Sequence, residues 1–449
     1  MIGHARVLEE LQRLVKRSKA EATSVYLDAS TRRVSRFAYG TIHQDVLQES
    51  ATAYVKVIHQ RRVGVAVTDT FERASLQRAL DAALTIARHA PPTQDLPALP
   101  GAYQHISTED HDRSTAEAPA GQFITTLTHL FRICQGVNAT LAGSCSFGED
   151  ERAVVNSHGV ACYAASTVAG VKLVTMYRAL SGFASDVSPR LAELDPEGCL
   201  EQALAQCLHR KEPIRLPTGT YEVILDPEAV AELVVWLGYI AFGAKSVQER
   251  TSFLVGRMGE PVMDRRITIV DDAHHPAGLH RPFDAEGVRT QRVPLIERGK
   301  AAGIVYDTTY GALYRHPSTG HALPPDEVEG PLPLHLVLEP GTTPRADLIR
   351  ACPRGIFIPR FHYVSGLLNP REALMTGLTR EGACLIEHGK LTAPITTMRF
   401  TQSCLDAFGH VRGISRESRL IADPAQDASC AIMPTLHLAK FRFTGRSED

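Results

Sequence analysis

Between Val230 and Ala244 the chain reads VAELVVWLGYIAFGA, apolar nearly all round when wound at a helical period. A helix of that kind has no face to give to water and is expected to be buried on every side. Asp226 stands where an N-cap belongs and Pro227 at the first helical position. Tyr221–Leu225 just upstream reads as a strand. The run is too short to span a bilayer and carries Glu232 near its start. The helix therefore needs a sheet and further layers around it. A chain of 449 residues is long enough to supply them as two cores rather than one.

The rest of the chain supports that division. Val7, Leu8, Leu11, Leu14 and Val15 recur at helical spacing among charged residues, predicting an amphipathic first helix. Ser24–Ser30 and Arg33–Ala38 read as strands joined by a polar turn, and Ala53–His59 and Arg62–Thr68 repeat the pattern. Helices are expected over Phe71–His89, 118–135 and 189–211, with strands near 139–147, 152–156 and 165–177. Two prolines and a glycine in Pro213–Thr220 mark a linker. Beyond Ile267, short strands and Gly/Pro turns dominate. The expected fold is α/β in the α+β sense. It has a mixed helix and antiparallel-sheet domain at 1–212 and a β-rich domain at 220–449.

Composition removes several functions. Lys and Arg number 48 against 50 Asp and Glu, without the basic excess that nucleic-acid binding needs. The nine cysteines are scattered and none forms a C-x-x-C pair, which speaks against a disulfide framework and fits a reducing cytoplasm. The first helix is charged and lacks the pattern of an export signal. None of the nineteen histidines is followed by glutamate. H-E-x-x-H and its longer-spaced variant are thereby excluded, and with them the usual zinc ligand and general base. No G-x-S-x-G elbow, P-loop or G-x-G-x-x-G occurs either.

Weaker candidates remain. His274, His275 and His280 lie beside Asp271 and Asp272, and imidazoles with carboxylates can hold zinc. Pro276 and Gly278 instead suggest a solvated turn there. His316 and His321 flank a Ser-Thr-Gly turn. Cys352 has Arg354 nearby to lower a thiol pKa, yet it and Cys430 read more simply as buried cysteines.

Phe283-Asp284-Ala285-Glu286-Gly287-Val288, followed by Pro294-Leu295-Ile296-Glu297 and Gly299, resembles the TldD/PmbA metallopeptidase family, also called the modulator of DNA gyrase family. Ser318-Thr319-Gly320-His321-Ala322 looks like the family's S-T-G-N-A turn with His for Asn. Thr376–Gly382, Ile386–Lys390 and Pro434–Gly445 are similar to its late strands. The resemblance implies two branches. One carries H-E-x-x-x-H on a buried helix and, with a distant cysteine, holds zinc for peptide hydrolysis. The other, PmbA/TldE-like, lacks the motif and assembles with the first. Aligning the helix glycine with Gly238 sets Val234 and Val235 at the His-Glu pair and Tyr239 at the second His. Valine neither ligates zinc nor accepts a proton, so the chain looks like the non-catalytic branch.

For the loop two readings stay open. Asp284 and Glu286 order a turn, with Gly287 at positive φ. Alternatively Phe283, Asp284, Glu286, Gly287 and Arg289, together with Ser318, Thr319, Gly320 and His321, line a groove for a peptide or a neighbouring subunit. No cofactor is expected in this chain, and zinc is expected in a TldD-like catalytic partner. A peptide substrate is expected, self-association is possible, and neither nucleic acid nor membrane is. Two other readings follow from the same residues. One is a stand-alone peptide-binding module that captures extended chains on strand edges. The other is an autonomous hydrolase with metal on His274, His280 and Cys430.

Overall fold

Alternation of small and β-branched residues makes the first half a long-stranded meander in this computed structural model, which describes residues 1–94, 96–101, 107–208, 211–423 and 429–446. The order is α1 (His4–Arg17), β1 (Ala22–Ala38), β2 (Thr41–His59), β3 (Arg62–Thr68), α2 (Arg73–His89), β4 (Ser107–Asp110), α3 (Arg113–Ala116), α4 (Ile124–Gly136), β5 (Thr140–Asn156), β6 (Ala161–Tyr177), β7 (Leu180–Ser188) and α5 (Pro196–Cys207). The sheet runs β3-β2-β1-β5-β6-β4, with β7 on β6.

Strand period sorts its two faces. Val25, Leu27 and Ala29 of β1, Ala153 and Val155 of β5, and Tyr163 and Ala165 of β6 pack against α1 and α2. Leu141, Phe147, Val171 and Leu173 on the same face meet α4 and α5. Tyr26, Val154 and Cys162 point the other way and pack on Phe283 and Ala285 of the second half. One face thus belongs to helices and the other to the rest of the molecule.

The expected turn near Thr31-Arg32 is absent, because β1 is continuous there. Arg32 Nη2 donates to both carboxylate oxygens of Asp150 on β5, at 2.7 and 2.6 Å, and both residues are buried. Paired charge inside a strand imitates turn composition. The chain actually reverses at Tyr39 and Gly40, with φ of 51° and 73°. Glu149, Asp150 and Glu151 likewise fill the gap expected between two strands and make β5 one strand. Leu180–Ser188, poor in β-branched residues, forms β7 without having been foreseen, and the helix expected over 189–211 starts only at Pro196. The end of that expected helix includes positions outside the described residues.

The second half begins with β8 (Gly219–Leu225), α6 (Pro227–Ala241) and α7 (Ala244–Gln248). It continues through β9 (Ile269–Asp271), β10 (Val293–Glu297), β11 (Lys300–Ala301), α8 (Thr308–Tyr314), β12 (His335–Leu338), α9 (Arg345–Ala351), β13 (Arg354–Ile358), β14 (Phe361–Asn369), β15 (Leu374–Thr379), β16 (Cys384–Glu387), β17 (Lys390–Pro394), β18 (Met398–Ser403), α10 (Cys404–Phe408), β19 (Val411–Ile421) and β20 (Cys430–Arg446). One mixed sheet runs β11-β10-β9-β12-β20-β8-β13-β16-β17, with β14, β15, β18 and β19 attached through β20. The chain is therefore mixed helix and sheet, as expected. No helix among the described residues is long and apolar enough to cross a membrane.

Candidate functional site

α6 lies on the faces of β8 and β20 that carry Val223, Leu225, Leu436 and Leu438. Val230, Leu233, Val234, Leu237 and Ile240 are buried there. The opposite stripe is not buried, contrary to the expectation from the sequence. Val235 is 48% exposed and Tyr239 43%, and Trp236 is only partly covered. Glu228, Glu232, Val235 and Tyr239 follow one another at spacings of four, three and four, which puts them on one helical face, and Trp236 flanks it, four residues past Glu232 and three before Tyr239. Of the three positions aligned with the zinc motif, Val234 is core, whereas Val235 and Tyr239 stand open. Asp226 occupies the N-cap position, but its carboxylate caps nothing. It takes both guanidinium nitrogens of Arg345 at 2.7 Å and the Thr435 hydroxyl at 3.0 Å instead.

The first half supplies a facing wall. Ser185 on β7 donates to Glu228, Lys172 on β6 pairs with Asp423 at 2.6 Å, and Arg360 lies 4.0 Å over the Phe183 ring. Glu232 is reached by water yet closely walled. Desolvation, then the charge of Glu228, raises its pKa, opposed by Arg360 and Lys172. β14 crosses the helix with Gly366 against the Trp236 ring, and Tyr239 meets that ring edge-on at 5.8 Å. Tyr363, Leu367 and Leu368 of the same strand are exposed, Tyr363 by 79%. The result is an open helical face with exposed Val235 and Tyr239, next to an acid, Glu232, that feels the charges of Glu228, Arg360 and Lys172.

The Phe283–Arg289 loop is built differently. Asp284 is buried and its carboxylate accepts from the backbone N–H groups of Glu286, Val288 and Ala322, each at 2.9 Å. Burial and then the charge of Glu286 lift it to about 7, against those three donors. Gly287 has φ of 79°, and a Cβ there would stand 2.6 Å from Val160 Cγ1. Its carbonyl accepts the Cys162 thiol at 3.7 Å. The Ser318–His321 turn locks onto this loop. Gln291 N donates to Thr319 O and Ala285 N to Ala322 O, while His321 bridges Thr319 Oγ1 and Asp271, each at 2.9 Å. Against desolvation, the His321 contact holds Asp271 below its ordinary value.

Phe283, Asp284, Gly287, Thr319, Gly320 and His321 are thus inside, where no peptide reaches them. Glu286, Arg289 and Ser318 keep access to water. Glu286 faces a cavity of about 240 Å³ that includes Lys56 at 3.7 Å, Asp307 and Tyr310. The Thr308 backbone N–H and hydroxyl both donate to Glu286. Lys56, Lys172, Glu228 and Arg360 were not singled out from sequence. Only the Glu228–Glu232 spacing gave a local signal, since the others come from distant strands.

The scattered metal candidate is not assembled. His274 Nε2 contacts Thr290 O at 3.0 Å, His280 contacts Asp110 at 2.9 Å and His275 O at 3.1 Å, and Cys430 is buried. Nor does the open face of α6 fit zinc, since the helix carries no imidazole or thiol and a tetrahedral site uses such donors.

The second half defines the class. Residues 218–445 match the family model described as the PmbA/TldA metallopeptidase C-terminal domain, and the chain belongs to that family. Its curated relatives include the metalloprotease PmbA of Escherichia coli O157:H7, 24% identical over 316 residues, 68% of this chain and 70% of that one. An uncharacterized protein of Methanocaldococcus jannaschii is 34% identical over 101 residues, which span 22% of this chain and 24% of its own length. TldE from Thermococcus kodakarensis has the same fold, with a TM-score of 0.88 at 22% identity over 97% of this chain and 100% of that one. A Thermotoga maritima protein described as a candidate modulator of a DNA gyrase gives 0.83 at 17% identity, covering 97% and 99%.

Proposed function

We propose that this chain is a PmbA/TldE-like, non-hydrolytic subunit of a two-chain zinc peptidase, in which a TldD-like partner cuts. The carrying observation is the open face of α6. Where the resemblance reserves an imidazole pair and a general base, this chain has Val234, Val235 and Tyr239, and two of the three side chains remain accessible. In this reading an accessible helix without imidazole or thiol lacks the zinc ligands for hydrolysis but keeps a surface. Val235, Trp236, Tyr239 and the neighbouring Tyr363 and Leu367 give that surface the aromatic and aliphatic anchors used in binding. Its occupant in this reading is an extended peptide on its way to the partner's metal. Glu286 and Arg289 contribute at a second, polar opening.

Co-expression with a TldD-like chain tests the proposal. The two should elute as one complex that hydrolyses peptides, while this chain alone does not. Separate elution under all conditions, or hydrolysis by this chain alone, would contradict it. A second reading draws on β2, which pairs with β3 only from Ala53 to His59. Thr41–Thr52 is therefore a free edge among the described residues, suited to adding a strand. Tight peptide binding by the isolated chain, abolished by proline at Val46, would favour that module.

A further inference from the structure

Three unlike donors meet on the side of the sheet away from α6. Val223 and Leu225 pack beneath that helix, so Glu222 and Ile224 of β8 point the other way. His437 does the same on β20, between Leu436 and Leu438. Cys352 closes the group from the end of α9. The ligand atoms of Glu222, Cys352 and His437 all lie within 4.8 Å of one another, and Glu222 Oε1 is 2.6 Å from His437 Nε2. Cys352 and His437 are buried, and Ile224, Leu348 and Phe357 wall the thiol. The backbone leaves room for the sulfur, since a Cβ at Gly355 would stand 2.6 Å from Cys352 Sγ and 2.6 Å from Glu222 O.

We propose that Glu222, Cys352 and His437 form a structural site for a zinc-like divalent cation. The donor chemistry selects the ion. Thiolate with imidazole and one carboxylate suits a borderline-soft metal, whereas calcium and magnesium take oxygen alone. Arg412 now sits 3.3 Å from Glu222 Oε2, and its side chain is about half exposed. On binding it swings into water, and a water molecule takes the fourth position on that side. The Cys352 thiol releases one proton to solvent, the Nε2 proton that His437 gives to Glu222 moves to Nδ1 so that the neutral ring ligates through Nε2, and Glu222 exchanges its contact with the imidazole for the metal. Burial, with Glu222 beside it, holds the free thiol up at about 12, and desolvation lowers the His437 pKa. Metal binding therefore drives the deprotonation, and affinity rises with pH. Burial of two ligands and their place on the side of the sheet away from α6 make this a site that ties α9 to β8 and β20.

The inference does not depend on the proposed function. The test is metal content and cobalt(II) spectrum of the purified full chain after incubation with zinc or cobalt and removal of excess. One ion per chain, a thiolate-to-cobalt charge-transfer band, and loss of both in Cys352→Ser and in His437→Ala are expected. Val235→Ala and Tyr239→Ala should retain the ion. Failure of the wild-type chain to hold an ion, or retention by both ligand variants, overturns the site. Should the ligand variants not fold, the wild-type cobalt spectrum decides, because a spectrum without the thiolate band refutes it.

Discussion

The Phe283–His321 knot and the open face of α6 divide the labour of the second half in an unexpected way. The knot carries the residues by which the chain resembles its family, and they are mostly inside. They satisfy backbone donors, close on each other and dock on Val154, Val160 and Cys162 of the first half. α6, which carries neither histidine nor cysteine, leaves Val235 and Tyr239 exposed. A distinctive motif can therefore mark a folding constraint, while a stretch of ordinary valine and tyrosine marks the surface where function is sought.

Perturbing each region should separate these roles. Asp284→Ala strands three backbone N–H groups and is expected to cost about 3 kcal/mol in denaturant unfolding, with Asp284→Asn costing less because its carbonyl still accepts. Gly287→Val combines a positive φ with collision at Val160, and a loss of about 2 kcal/mol is expected by the same measurement. Asp307, at the edge of the knot, should act in the opposite sense. Desolvation, then the charge of Glu286, raises it to about 6 from an ordinary 3.8. Ionisation is then harder in the folded chain, so its penalty grows as pH rises from about 4 to about 6 and stays constant above. Asp307→Asn preserves the cap to Tyr310 N. It should stabilise the chain by about 3 kcal/mol at pH 7 and by well under about 1 kcal/mol at pH 4. Thermal unfolding at the two pH values checks this.

On α6, Val235→Glu and Tyr239→Ala should change stability by no more than about 0.5 kcal/mol. They should weaken peptide capture or partner hydrolysis, measured by titration and by the rate of the complex. If instead they unfold the chain while the knot variants do not, the division of roles is reversed.

Much of this was legible in the sequence, and the failures have causes. Strand period located β3, β8 and the second half of β2, Ala53–His59, but not its first half, and helical spacing located α1 and α2. The turn at Thr31-Arg32 was misplaced because a buried Arg32–Asp150 pair has the composition of a loop. β7 was missed because LSGFASDVS has a single β-branched residue, its stability coming from pairing with β6 rather than from propensity. α6 was expected to be covered all round because apolar residues were equated with burial, an inference that runs only one way. At the site, the loop residues were found but not the direction in which they point. Lys172 and Phe183 of the first half meet Glu232 and Arg360 only through tertiary packing.

On the proposed function, the open face of α6 does no hydrolysis of its own. The direct measurement is peptide cleavage by the two-chain complex in which the zinc-binding histidines of the TldD-like partner are replaced by alanine. Complete loss of cleavage, with the complex still assembled, is the predicted result. Residual turnover that disappears when Glu232 of this chain is changed to Gln would contradict it.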